Sequence, residues 1–336
     1  MLAPPTAPPS IRPLLKWAGG KRQLLPALAT FYPARFDRYV EAFLGSGAVF
    51  FDLLAQGRLA GKRVTLADIN PDLIGCYRTL RDHTSQVIAA LAALETEHRS
   101  LGEACYYDVR DRRFNPERVE PFAKGPEGRE RLAAAYPPEL AAMLIFLNRT
   151  GFNGLFRLNR SGAFNVPAGR YAEPRICDPA HLRTVAEAFR APGVTLELSG
   201  FEAVLADAGP GDFVYCDPPY APLSRTANFA SYTADGFTSA DQARLCAAVA
   251  DACARGATVV LSNSSADEIV GLYSSDRARH AGLVVHRVPA RRMINSRASA
   301  RGPVDELIVT NSRPSLARVR PRMLPALPAT RRRKTA

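Results

Sequence analysis

Short apolar runs alternate with amphipathic stretches along most of this chain, and that alternation limits its fold more than any other feature. Runs at 38–43 (RYVEAF), 63–68 (RVTLAD), 212–216 (DFVYC), 258–262 (TVVLS) and 283–288 (LVVHRV) read as strands. Helical periodicity follows the first four, beginning near Ala48, Pro71, Ser239 and Ala266. Strands that alternate with helices build an open, mostly parallel sheet with helices on both faces, so an α/β fold is expected. A last run, 304–310 (VDELIVT), is expected to close the sheet as an edge strand.

The alternation breaks between about Gly75 and Pro192. Helical stretches at 85–99, 103–113 and 130–148 succeed one another there and lead into a segment rich in Gly, Asn and Arg, 149–171. This pattern predicts an inserted, mainly helical domain at 76–192 within a discontinuous domain made of 11–75 and 193–312. A Pro-rich N-terminus, 1–10, and a basic tail, 313–336, are expected to be disordered.

No run approaches the roughly 20 apolar residues that span a bilayer. The N-terminus lacks the charged and apolar regions of a signal peptide, so no membrane association and a cytoplasmic location are expected. Cys76, Cys105, Cys177, Cys216, Cys246 and Cys253 show neither a CxxC pair nor a histidine at ligand spacing. Reduced thiols and no metal are expected. The net charge of +12 points to an acidic partner such as nucleic acid. That charge is uneven: the tail holds eight basic residues and no acid, the 149–171 segment holds four Arg and no acid, and the remainder is balanced.

Four segments carry chemistry. Asp217-Pro218-Pro219-Tyr220 follows an apolar strand, where ligands of open α/β sheets sit. It offers a carboxylate, a stiffened turn whose Pro218 carbonyl can accept alongside it, and an aromatic face for a planar base. Glu41-Ala42-Phe43-Leu44-Gly45-Ser46-Gly47 ends the first strand, and its two glycines permit a tight turn and close ligand approach. The missing third glycine disfavours a dinucleotide, and Asp68, 21 residues after Gly47, ends the second strand where a carboxylate holds ribose hydroxyls or caps a helix with Asn70. Lys16-Trp17-Ala18-Gly19-Gly20-Lys21 places two cations and the sole tryptophan around a small-residue turn. In 149–171, Arg and Asn suit phosphates and base edges, and aromatics suit insertion between bases; a plain solvated loop would expose Phe152, Phe156 and Phe164 to no purpose.

In this order LKWAGGK, VEAFLGSG, LADIN, LNRTGFNGLFRLN, FNVPAGRY, VYCDPPYAPLS with TANF soon after, and VDEL resemble the Dam-type DNA adenine-N6 methyltransferases, the D12 class. The resemblance runs from about Leu14 to Thr310. It implies a seven-stranded methyltransferase sheet with one antiparallel strand, an inserted helical target-recognition domain, and S-adenosyl-L-methionine as cofactor. Trp17, Lys21, Phe43, Gly45, Ser46, Gly47, Asp68 and Asp217 are implied to hold that cofactor, and Asp217, Pro218 and Tyr220 to hold a flipped adenine.

Lys16, Leu155, Arg157 and Pro167 match positions that read a GATC site, and Phe152 matches an aromatic that inserts into DNA. Asn153 accompanies them on DNA, and Arg110, Arg149, Asn159, Asn165 and Arg170 match phosphate contacts. Departures are Phe152 for the commoner Tyr, Thr150 for an aromatic, Phe156 for a smaller residue, Ala168 for Phe, and Ala163 for a frequent charge. The expected partner is double-stranded DNA in the nucleoid, with no obligate protein partner. The alternatives are a same-fold enzyme acting on another adenine site, on cytosine N4 or on RNA, and a silent cofactor- and DNA-binding module. Tyr220 and the recognition segment favour duplex DNA adenine, and the presence of Asp217 disfavours silence.

Overall fold

The computed structural model describes residues 11–17, 19, 21–221, 237–291 and 303–314. The expected disorder of 1–10, the basic tail from 315 onward and the TANF motif at 226–229 lie outside the described residues.

Among the described residues seven strands form one sheet: β1 (Arg38–Glu41), β2 (Arg63–Asp68), β3 (Val194–Leu198), β4 (Asp212–Cys216), β5 (Thr258–Ser264), β6 (Val284–Arg291) and β7 (Pro303–Thr310). Their order is β3-β2-β1-β4-β5-β7-β6. The first five are mutually parallel, and β7 runs antiparallel to both β5 and β6. The last strand is therefore not the edge expected of it. Its Leu307, Ile308 and Val309 are all fully buried, which suits a strand paired on both sides, whereas β6 exposes Val284 and takes the edge. The opposite edge is β3, a short strand whose VTLEL pattern is mostly half-exposed and lacks the apolar run of its neighbours.

Alternation along the central strands divides the core. In β4 every residue is buried; Phe213 and Tyr215 join one apolar cluster, while Val214 and Cys216 join the other. The first cluster continues without a break into the 76–192 helices, taking in Phe146, Phe164 and Phe189. This helical segment thus packs on the sheet through a shared core. Its helices are Thr84–Leu101, Glu103–Asp108, Asn115–Ala123, Gly125–Ala134, Pro138–Thr150 and Pro179–Arg190, with a π-helical turn at Val109–Phe114.

The expected helices after β1, β2, β4 and β5 are Ala48–Ala55, Pro71–Asp82, Ser239–Ala254 and Asp267–Tyr273. Asn70 caps the second, accepting from the backbone N–H groups of Asp72 and Leu73 at 3.0 and 3.2 Å. All six cysteines are free, and no group of residues suited to a metal occurs among those described. No described helix is long and apolar enough to cross a membrane.

Candidate functional site

From β1 the chain moves outward through β2 to β3, and from β4 it moves the other way to β5. The carboxyl ends of β1 and β4 therefore lie side by side, Glu41 opposite Tyr215, at the point where the strand order reverses. Connections leaving such a point diverge and open a crevice. The glycine loop rises from one lip and Asp217-Pro218-Pro219-Tyr220 from the other.

Asp217 Oδ1 accepts from Ser262 Oγ and from Lys21 Nζ, each at 2.8 Å. Lys21 is only 5% exposed; its ammonium also donates to the Gly19 carbonyl at 2.6 Å and lies 4.3 Å from the centre of the Tyr220 ring. The Tyr220 hydroxyl donates to Glu306 Oε2 at 2.9 Å, from β7. Gln242 Nε2 donates to the Pro219 carbonyl at 2.9 Å and is itself held by Asn263. Burial raises the Asp217 carboxyl above its ordinary pKa, and the Lys21 ammonium and the Ser262 hydroxyl oppose that rise.

Gly45 and Gly47 have φ of 46° and 69°, the left-handed region that glycine adopts freely. A Cβ on Gly45 would also stand 2.8 Å from the Trp17 ring. The Gly45 N–H donates to Asp68 Oδ2 and the Asn70 N–H to Asp68 Oδ1, both at 2.9 Å. Capping falls to Asn70, so Asp68 ties the glycine loop to the end of β2. Trp17 stacks on Phe156 at 5.4 Å, and Phe43 stacks on Phe201 at 5.6 Å. Ser46 completes the loop between the two glycines.

A carboxylate at the end of β2, a glycine backbone, exposed apolar Ile69 beside Asp68, and a second carboxylate at Asp217 suit a ligand with a ribose diol and a cationic centre. The residues present therefore fit the expected S-adenosyl-L-methionine.

Sequence reasoning missed Glu41, Ile69, Gln242, Ser262, Asn263 and Glu306 as individual participants. Glu41 is buried; its Oε2 accepts from the Tyr39 hydroxyl at 2.7 Å and the Phe50 N–H at 3.1 Å, and burial raises its carboxyl to about 8. The available signal was polar residues ending otherwise apolar strands, as in Ser262-Asn263-Ser264 and Asp305-Glu306.

The 149–171 segment folds into a hairpin, bridged between Gly151 and Ala168 and between Leu158 and Phe164. Its side chains alternate. Phe156, Leu158, Phe164 and Val166 are buried on the inner face, while Leu155, Arg157, Asn159, Asn165 and Pro167 share the outer face. Two of the three phenylalanines expected to be exposed are thus core residues: Phe156 packs on Trp17 and Phe164 on Phe114. Phe152 alone is presented, 49% exposed, on a short helical turn where Asn153 has φ of 54°.

The Arg157 guanidinium donates to Asn165 Oδ1 at 2.8 Å. Lys16 is fixed beside the hairpin by Asn148, which exchanges bonds of 2.8 Å with its backbone, and its ammonium covers the Tyr171 ring at 4.6 Å. Arg170 is exposed at the hairpin base. Arg110 and Arg149 differ from the other candidates. Arg110 donates to the Val166 carbonyl at 3.0 Å and pairs with Asp111, and Arg149 donates to the Leu14 carbonyl at 2.7 Å. Both brace backbone, because interior carbonyls lacking a strand partner need donors.

A family model for the D12 class N6 adenine-specific DNA methyltransferases matches residues 17–292. The chain is 36% identical over 303 residues to the type II methyltransferase M1.LlaDCHI of Lactococcus lactis subsp. cremoris, covering 90% of this chain and 96% of that protein. It is 36% identical over 312 residues to the type II methyltransferase M.MjaIII of Methanocaldococcus jannaschii, covering 90% and 99%. With the DNA adenine methylase of Escherichia coli it shares 35% identity over 297 residues, 88% and 94% of the two chains.

Proposed function

The chain belongs to the D12 class of N6 adenine-specific DNA methyltransferases, and from that premise we propose that it methylates the adenine of GATC in double-stranded DNA. It is an adenine-specific DNA methyltransferase that depends on S-adenosyl-L-methionine. When bound, the cofactor supplies a methyl group made electrophilic by its sulfonium. Asp68 would hold the ribose hydroxyls, the backbone at Gly45, Ser46 and Gly47 would admit the ligand closely, and Trp17, Lys21, Phe43 and Asp217 would line its place.

Adenine N6 is a poor nucleophile because its lone pair is delocalised into the ring. The Asp217 carboxylate and the Pro218 carbonyl accept hydrogen bonds from the amino group and favour a more tetrahedral nitrogen. Tyr220 stacks on the base and fixes its plane. Orientation and fixed dipoles lower the barrier without a covalent intermediate.

One observation carries the assignment of Asp217 and Tyr220 to the target base: an N–H donor, the Lys21 ammonium, already sits 2.8 Å from Asp217 Oδ1 and over the face of Tyr220. That is the position a target amino group requires, so the amino group of the base would take the place of the Lys21 ammonium at Asp217.

The target atom is buried in duplex DNA, so the nucleotide is flipped out at a cost of a few kcal/mol. Phe152 suits the wedge that offsets lost stacking. On the outer hairpin face Arg157 suits a bidentate contact to a guanine edge, with Lys16, Leu155 and Pro167 beside it. Asn153, Asn159, Asn165 and Arg170 suit the backbone, and Arg110 and Arg149 would join them only by releasing the carbonyls they now hold. The same reading places the protein on the nucleoid in the cytoplasm, acting without an obligate protein partner.

Digestion of DNA from cells expressing the full chain, with nucleases blocked by adenine methylation in GATC, tests the assignment. Protection is expected. Complete cleavage of DNA that contains N6-methyladenine would assign a different site.

A further inference from the structure

The second hairpin strand has an open edge. Its carbonyls at Gly162, Phe164 and Val166 point away from the first strand, whose bonds go instead through Ala163 and Asn165. Open edges of buried strands need partners. Here they come from side chains of one continuous helical run, 103–123. Tyr106 and Arg110 donate to the Val166 carbonyl at 2.9 and 3.0 Å. Asn115 both accepts from the Phe164 N–H at 2.8 Å and donates to its carbonyl at 3.0 Å. Arg118 donates to the Gly162 carbonyl at the hairpin tip.

In a regular α-helix, residues five apart lie about 140° apart around the axis, so 110 and 115 would face different ways. The π-helical turn at Val109–Phe114 absorbs the extra residue and returns them to one face. The helix thereby presents four side chains in step with alternate residues of a β edge.

Arg118 has a second partner. Its guanidinium donates to Asp72 at 2.6, 2.9 and 3.1 Å, and neither side chain has any exposed surface. Asp72 lies in the first turn of Pro71–Asp82, four residues after Asp68 and two after the cap Asn70. A buried, hydrogen-bonded pair therefore connects the carboxyl end of β2 to the tip of the hairpin.

We infer that Arg118, fixed by Asp72 and aided by Asn115, is a specificity-determining positioning residue that sets the hairpin's outer face against the catalytic crevice. This rests on the reading that the outer face contacts DNA. Arg118 has no exposed surface to offer DNA or cofactor; it acts through the Gly162 carbonyl and hence through the placement of Arg157 and Asn159.

The test compares the full-length wild type with Asp72→Leu/Arg118→Met, Asn115→Ser and Arg157→Ala. Replacing both members of the buried pair by apolar groups of similar size avoids leaving a lone buried charge. Asn115→Ser is the milder second probe. Cofactor affinity is read from the fluorescence of Trp17, the sole tryptophan, and discrimination from the ratio of kcat/KM on the preferred duplex to that on single-pair variants.

Both positioning variants are expected to retain cofactor affinity within about twofold while discrimination falls about tenfold or more, because small misplacements of reading groups have large effects. Wild-type discrimination in both variants would overturn the inference. So would a loss of cofactor affinity in step with discrimination, which marks general loosening. Unchanged discrimination in Arg157→Ala would separately overturn the DNA-reading role of the outer face.

Discussion

Lys21 and Asp217 form an ion pair of 2.8 Å at the crevice between β1 and β4, with Lys21 nearly enclosed and Asp217 one-fifth exposed. The pair joins the glycine-flanked N-terminal turn to the loop after β4, so the cofactor and base sites proposed above would share a charged boundary. Ser262 donates to the same carboxylate, and Tyr220 lies on the other side of the Lys21 ammonium.

Asp217→Ala is expected to abolish methylation. Loss of a preorganised electrostatic group alone lowers kcat by about 10²–10³, and the base also loses its principal acceptor. DNA affinity, measured by filter binding or fluorescence anisotropy, should stay near that of the wild type because the hairpin is untouched. Near-wild-type turnover would remove Asp217 from the role assigned to it.

Glu41 makes stability depend on pH. Its native pKa, about 8, lies above the ordinary 4.5, so the folded state binds more protons than the unfolded state between those values. Stability therefore falls as pH rises through that window, by at most about 1.4 kcal/mol per pH unit. Glu41→Gln keeps an acceptor for Tyr39 and Phe50 without the titration. Denaturant midpoints from pH 5 to 8.5 should decline for the wild type and flatten for the variant; parallel curves would contradict the assignment.

Arg157→Ala should relax discrimination at one guanine-containing position by about 1–3 kcal/mol. The measurement is kcat/KM across a panel of duplexes differing at single pairs. Equal weakening on every sequence would make Arg157 a phosphate contact instead.

The sequence carried most of the sheet because parallel central strands are buried on both faces and read as apolar runs. It did not carry strand order at the far side: β7 and β6 look alike in sequence, and only the full burial of Leu307–Val309 by two neighbours distinguishes them. β3 escaped notice because half its surface is wet. Within the site, Asp68, Gly45 and Asp217 were legible since each ends a strand or shapes a turn. Ser262, Gln242 and Glu306 were not, because their part depends on partners 45, 23 and 86 residues away. The hairpin showed the reverse error: aromatics interleaved with Arg suggested exposure, yet period-two alternation turns Phe156 and Phe164 inward.

The eight basic residues of 313–336 are expected to add sequence-independent attraction to phosphate. Truncation after Ser312 should make the dependence of log K on log salt shallower, by up to about 0.9 for each phosphate no longer contacted. An unchanged slope would deny the segment a part in DNA binding.

The insertion of β7 between β5 and β6 has a consequence for biosynthesis. A ribosome delivers β5 and β6 before the strand that separates them, so the nascent chain carries an unpaired β5 border until residues 303–310 emerge. Glu306, the partner of the Tyr220 hydroxyl, arrives with that same strand. The Tyr220–Glu306 contact and the sealing of the sheet therefore form together, late in synthesis, and until then the unpaired border is an open strand edge at which aggregation can start.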